Sequence, residues 1–579
     1  GRWKRGRRAC IFLPMNESLI ERSAGFWPFS RPGRSPAARA LRGVAYFLLF
    51  AAVVTPVIQF QVQSQEAWQK DRAIEALSPA ERAAVGPIKT HHGAIERWMK
   101  AIGLFWEGRN IYVSHDRAEE VGVWLHPNSP GMVVLMSPLA LLPGPMMALV
   151  FNILKVAALL AAIYMAAELA NPSGRKLPDW VLGLGLLWSI LLVVGDIQHG
   201  NTNTFVLAAI VAHAYLYRKG HDTPAGAMLA LAIGLKMTPA LFLLYWLYQR
   251  EWKLLGATVL SLVLLLLALP VLAMGWGMNA PSWAPVPLVG AALLCAGYFL
   301  MRQRSRAVAW ASLAGGLGVL AAGAMWGWEP YSRMMGSWLG NLIGPGLLRG
   351  AWYPIHVNQS LSGVFSRYFF DRPNPNGNIY WNPDDYTYVE AMRHNPAVWI
   401  ALADLPGWAV KGLLRGAQLL VVGVCALAIG WKRLPRTDGR RALHVGLICL
   451  AMLLLNQRTW DHHAAILVPG AVALWAALAF GRMSRRLRRL AVLATVGAGP
   501  FAWLAGTALY KFMAKIVGED KHVAEYWSDI AEARGPTFWY FVLMFTILAA
   551  VTIALRRNPL PYAETRQTFG GYDAPKGLY

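Results

Sequence analysis

VLSLVLLLLALPVLAMGW (259–276) runs for eighteen residues without a charge. A hydrocarbon core of roughly 30 Å takes about 20 apolar residues of helix to cross. GAQLLVVGVCALAIGW (416–431) has the same character, and more than ten such blocks recur along the 579 residues. Of the whole chain 56% is hydrophobic and 15% charged, against about 25% charged in a soluble domain. These blocks specify an all-α, polytopic transmembrane helical bundle with about 12–14 membrane segments. Nothing along the chain reads as a soluble catalytic domain, a repeat or a low-complexity linker.

The formal charge is +24, and where it sits decides what it does. Residues 1–42 hold ten Lys/Arg against Glu17 and Glu21. The short connectors RQRSR (302–306), WKRLPRTDGRR (431–441) and RMSRRLRR (482–489) add more. The long loops are balanced: 64–130 holds eight Lys/Arg against nine Asp/Glu, and 327–400 five against five. This is the positive-inside asymmetry. It predicts a basic cytoplasmic segment at 1–42, a membrane domain over 43–555 and a cytoplasmic tail at 556–579, with outer loops at 64–130, 327–400, 456–463 and 511–535. The surplus charge is expected to set topology and meet anionic headgroups, with no nucleic-acid partner. The location that fits is a bacterial inner membrane, with the first apolar block kept as an uncleaved helix.

Spans are expected near 43–63, 144–170, 180–195, 202–217, 252–274, 285–301, 307–326, 409–430, 442–455, 464–480, 490–510 and 536–555. AGAMLALAIGLKMTPALFLLYWLY (225–248) has basic residues on both flanks, so a single crossing would break the parity. Gly234 and Pro239 interrupt a helix, and two short helices broken there restore it, with Lys236 at the break. Broken helices are tolerated in membranes where they line a cavity. Cys10, Cys295, Cys425 and Cys449 place no pair in an outer loop, so neither a disulfide nor a cysteine metal site is expected.

Ionisable groups at membrane depth are costly and point to function. Lys236 is one, a cation for an anionic ligand group or a lysine snorkelling to an interface. The turn VVGDIQHGNTNTF (193–205) gathers Asp196, Gln198, His199, Asn201 and Asn203, more donors and acceptors than helix caps need. VNQSLSGVFSRYF (357–369) sets Asn358, Gln359 and Ser360 before a short helix bearing Arg367, a fork suited to phosphate; the bland reading is loop scaffolding. TWDHHAAILVP (459–469) puts Asp461, His462 and His463 at the mouth of a span. Adjacent histidines point about 100° apart on a helix, so a shared metal is not expected, and an oriented proton shuttle or phosphate contact is.

Taken in order, HGNTN, the AG…LAIGLKMTPALF…REWK hairpin, NQSLSGVFSR and RTWDHH…LVP resemble glycosyltransferase family 87. FWEGRNIY (105–112) and WLHPNSPGMVVLMSPLALLP (124–143) resemble the family's first-loop segments. The resemblance covers about 43–555. It implies the C-type glycosyltransferase fold with helical outer loops, a polyprenyl-phosphate sugar as donor, a lipid or glycan acceptor, and no metal or other cofactor. It also implies a catalytic carboxylate early in the first outer loop, typically an Asp. THHGAIERWMKAIGLFWEG (90–108) has none there. Glu96 is the nearest substitute, then Asp196 and Asp116.

The expected chemistry is inverting transfer of a hexose or pentose, with mannose favoured, at the extracytoplasmic face. A carboxylate would take the acceptor's proton, and Lys236, Arg367 and His462 would converge on the departing phosphate. A transporter or flippase of lipid-linked sugars would also use broken helices and buried cations, yet one broken helix without a mate in a second half argues against it. A catalytically inactive complex subunit is the reading that the missing Asp leaves.

Overall fold

The computed structural model describes residues 36–78, 80–81, 92–112, 128–171, 177–187, 189–277, 306–344, 356–369, 401–504, 507–519 and 521–557. Among them it is helical, with no strand. Asp116, the span expected at 285–301, the segment 1–35 and the tail from 558 lie outside the described residues.

Among the described residues seven helices are long and apolar enough to cross a membrane: Phe47–Glu75, Gly144–Ala170, Trp252–Gly275, Trp310–Trp338, Gly407–Ile429, Asp461–Phe480 and Tyr526–Arg556. An eighth is added if Asp179–Leu187 and Ile190–Gln198 count as one span. The chain is a multi-pass membrane protein. The expected 12–14 segments included 202–217, 442–455 and 490–510, which are the helices Asn203–Arg218, Arg440–Leu455 and Arg485–Trp503. Sixteen residues rise only about 24 Å, and Arg485, Arg486, Arg488 and Arg489 crowd the start of the third. Arg440–Leu455 is buried from Arg441 to Leu454. Enclosed by protein, it need not match the bilayer's thickness.

That central helix crosses Val468–Phe480, where a Cβ on Gly446 would lie 2.3 Å from the Gly470 Cα. Two glycines let the backbones touch, as small residues do between membrane helices. Asp179–Leu187 packs on the same helix, and a Cβ on Gly185 would lie 2.8 Å from the Val472 Cα. The expected continuous span 180–195 is instead bent by 54°. Ser189 Oγ, just before the second helix, donates to the Gly185 carbonyl four residues back at 2.9 Å.

The break at Lys236 is present. The helix Asp222–Leu235 ends with Lys236 extended at φ −151° and ψ 135°, a single 3-10 turn follows over Thr238–Ala240, and the chain resumes as Leu241–Tyr248. Both outer ends of this pair return to one place. Arg436 bonds Asp222 at 2.7 Å and approaches Glu251 at 4.0 Å, while Arg433 bonds Glu251 at 2.9 Å. Three segments, 218–222, 249–252 and 430–441, the last running into the start of Arg440–Leu455, therefore gather at one pole of the bundle. The break, the 198–203 turn and the 456–463 turn gather at the other.

Candidate functional site

The polar turn is built by its own residues. Gly200 takes φ +59°, and a Cβ there would lie 2.8 Å from the Phe60 ring, so glycine alone allows the turn to press on the helix Pro36–Glu75. Gln198 reaches the same helix at Gln59 Oε1, 3.3 Å away. The Ala94 N–H donates to the His199 carbonyl at 2.8 Å, which docks the N-terminus of helix Gly93–Trp106 directly on the turn.

Inside the turn Asp196 is fully buried. Its Oδ2 pairs with Lys155 Nζ at 2.9 Å and accepts from the Thr204 N–H at 3.1 Å and Oγ1 at 2.6 Å. Its Oδ1 accepts from Asn203 Nδ2 at 2.8 Å. Lys155 Nζ also donates to the Asp196 carbonyl at 2.7 Å. With its ammonium and hydrogen bonds in place, this carboxylate is a fixed keystone. Asn203 Oδ1 in turn accepts from Lys236 Nζ, so the expected cation at the helix break stands against the turn. Ser129 Oγ donates to the Gly234 carbonyl at 3.1 Å and its side chain caps the helix Pro130–Met136, tying the first outer loop to that break.

His462 joins from the other half of the chain. Its Nε2 and Asn201 Nδ2 share a hydrogen bond of 3.0 Å, and its ring centre lies 4.5 Å from that of His199. His463 points away and stacks on Trp460, with planes 8° apart. The His462 and His463 rings stand edge-on to each other, their centres 4.8 Å apart. Asp461 Oδ1 is buried without a hydrogen-bond partner, and its carboxylate has Thr537 as a side-chain partner. His356, Asp529 and Glu532 are the group of described residues spaced to hold an ion.

Asn358, Gln359 and Ser360 are buried and work on the backbone. Asn358 Nδ2 donates to the Gln457 carbonyl at 2.7 Å and its Oδ1 accepts from the Thr459 N–H at 2.9 Å. The Gln359 N–H donates to the Thr459 carbonyl at 2.6 Å, and Ser360 Oγ to the Gln457 carbonyl at 3.2 Å. Arg367 lies beneath, with Nε on the Ala533 carbonyl at 2.9 Å and Nη1 on the Asn358 carbonyl at 3.0 Å. Burial lowers its pKa to about 10. Lys236 and His462 thus meet one turn, whereas Arg367 holds together the segment behind the 456–463 loop.

Glu96 stands in the first turn of its helix. One oxygen accepts from Ser64 Oγ and the other from the His92 N–H at 2.6 Å. Burial raises its pKa above the usual carboxylate value, outweighing those two bonds and Lys100, which lower it. A carboxylate has about four acceptor positions, so two bonds leave room for a hydroxyl. Lys155 and Ser64 were missed in the sequence. The first had a signal, a lone lysine inside the apolar run ALVFNILKVAALL (148–160); Ser64 had none.

The sequence model for glycosyltransferase family 87 matches residues 124–284. This segment holds Lys155, the 196–203 turn and Lys236; Glu96 and the 356–369 and 456–463 segments fall outside it. The family resemblance read from the motifs is shown there. Over 137 residues the chain is 31% identical to the polyprenol-phosphate-mannose-dependent alpha-(1-2)-phosphatidylinositol mannoside mannosyltransferase of Mycobacterium tuberculosis, covering 21% of this chain and 31% of that protein. The chain therefore matches about a third of that relative's length. No solved structure matches.

Proposed function

From this shared family 87 segment we propose that the protein is an inverting membrane glycosyltransferase. It moves a hexose, mannose first, from a polyprenyl-phosphate donor to a lipid or glycan acceptor at the extracytoplasmic face of an inner membrane, its termini cytoplasmic. The donor class is that of the mycobacterial relative.

The observation that carries the reading is the single polar turn that joins Lys236, through Asn203, to His462, through Asn201. A cation, an imidazole and amides held on one turn suit a phosphate and a sugar together. The acceptor oxygen attacks the anomeric carbon, the bond from that carbon to the phosphate oxygen breaks, and the acceptor's proton passes to Glu96. Lys236 stabilises the charge that grows on the departing polyprenyl phosphate, with His462 beside it. Gln198, His199, Asn201 and Asn203 bind sugar hydroxyls. Asp196 keeps the turn's shape rather than taking the proton, and Arg367 with residues 358–360 positions the 456–463 loop. Asp461 and His463 line its far side.

The test is transfer by the full chain in nanodiscs supplied with radiolabelled polyprenyl-phosphate sugars. Label from the mannosyl donor should reach a lipid acceptor, and Glu96→Gln should reduce turnover at least about a hundredfold, the lower range of general-base contributions. Well-folded protein that transfers no sugar from any such donor would sink the reading. Normal turnover in Glu96→Gln would remove Glu96 alone.

A further inference from the structure

Behind the 456–463 loop lies a second polar group that the transfer chemistry does not use. His356 Nε2 is 3.3 Å from Asp529 Oδ1 and 3.9 Å from Glu532 Oε2. One nitrogen and two carboxylate oxygens all lie within 4.8 Å of one another. Asp529 and Glu532 are three residues apart on the helix Lys521–Ala533, a spacing that puts both on one face.

The two supports of this group are fastened to each other. Gln359 Nε2 donates to the carbonyls of both His356 and Glu532, each at 2.9 Å. Arg367 Nε holds the Ala533 carbonyl at 2.9 Å, and Tyr368 Oη holds that of Arg534 at 2.6 Å. Such second contacts orient ligand side chains in metal sites. The charge balance points the same way. Asp461 and Asp529 both act electrostatically on Glu532, which is 9% exposed, and Asp461 Oδ1 is buried without a hydrogen-bond partner. Arg367 reaches Glu532 by its field, yet its Nε and Nη1 are on carbonyls. Two carboxylates beside one imidazole, all only partly exposed, favour a cation between them.

We propose that His356, Asp529 and Glu532 form a binding site for a divalent transition ion of the Zn²⁺ or Mn²⁺ class. Ligands about 2.1 Å from a tetrahedral ion stand about 3.4 Å apart; the imidazole nitrogen is 3.3 and 3.9 Å from the two carboxylates, whose oxygens lie within 4.8 Å of each other and would draw in on binding. The imidazole nitrogen selects against Mg²⁺ and Ca²⁺, which favour oxygen shells. The ion ties the helix Lys521–Ala533 to the 356–360 segment and, through Asn358 and Gln359, to the loop bearing His462.

The test uses the full chain in nanodiscs, stripped with a chelator, then titrated with Zn²⁺ by calorimetry and assayed for bound metal by mass spectrometry. About one Zn²⁺ per chain is expected. Asp529→Asn, Glu532→Gln and His356→Gln should each weaken binding at least tenfold, and Glu329→Gln, at an exposed carboxylate elsewhere, should not. Co²⁺ serves as a second probe, its visible absorption reporting an ordered site in the unaltered chain and so deciding the matter if the variants fail to fold. Less than half an ion per chain with no Co²⁺ band overturns the proposal, as does full affinity in both carboxylate variants. Neither readout involves sugar transfer, so the two proposals fail separately.

Discussion

Replacing Asp196 by Asn separates a structural carboxylate from a catalytic one. Asp196 takes Lys155 at 2.9 Å, Asn203 at 2.8 Å and Thr204 twice, at 3.1 and 2.6 Å. Asparagine offers one oxygen for these four donors and turns an amide N–H₂ towards the rest. It also strands the buried Lys155 ammonium, left with the residue-196 carbonyl at 2.7 Å and the Phe151 ring at 5.4 Å. Breaking one half of a buried pair costs about 3–5 kcal/mol, a factor of roughly 10² to 10³ or more at 1.4 kcal/mol per decade. In a chain of 579 residues the apparent Tm should fall by roughly 2–4 °C. Lys155→Met should fall by a comparable amount, and the double variant should recover part of it, with a coupling of about 1–3 kcal/mol. Differential scanning fluorimetry in nanodiscs gives the four corners of the cycle, and transfer assays on the same samples give turnover per folded molecule. Asp196→Asn with an unchanged Tm and a hundredfold loss of turnover would refute the reasoning and make Asp196 the base.

Three further outcomes are expected. Burial raises the folded pKa of Glu96, so its stabilising contribution is present below the unfolded carboxyl value of about 4.3 and is lost as pH rises through the raised folded value. Glu96→Gln should therefore hold or raise the Tm at neutral pH and flatten that pH dependence, while wild-type turnover climbs as pH passes the same value; a lower Tm for the variant at neutral pH would contradict the burial argument. Gly200→Ala must place a methyl 2.8 Å from Phe60 at φ +59°, a strain of about 1–3 kcal/mol. Hydrogen exchange should quicken at Ala94 as its bond to His199 loosens, and unchanged protection there would count against the docking role. Arg367→Met should cost about 2–4 kcal/mol in stability through two stranded carbonyls and leave donor KM unaltered; a stable variant with tenfold higher KM would return Arg367 to the phosphate.

Much of the architecture was legible because hydrophobicity is a local property. The apolar blocks give helices, Gly234 and Pro239 give the break at Lys236, and the basic connector 431–441 meets the acids Glu251 and Asp222 through Arg433 and Arg436. The bend before Ile190 has no counterpart in the local pattern, because the residues on both sides of it are apolar. Burial was harder to read than helicity: Arg440–Leu455 is apolar because protein encloses it from Arg441 to Leu454.

The sequence by itself determined that this is a helical membrane protein, which polar clusters interrupt its apolar runs, and which family those clusters resemble. It could not rank the carboxylates within them. Asp196 and Glu96 look alike as letters, each an acid beside polar neighbours. Tertiary structure set them apart by bringing Lys155, 41 residues away, onto Asp196 and by giving Glu96 a hydroxyl and an N–H with no cation within bonding distance in the described contacts. It likewise joined Asn201 to His462 across 261 residues and spent Arg367 on backbone carbonyls. Burial and periodicity are written in neighbouring residues, but charge and proton affinity are fixed by whatever lies about 3 Å away, and that is chosen by the packing of distant helices.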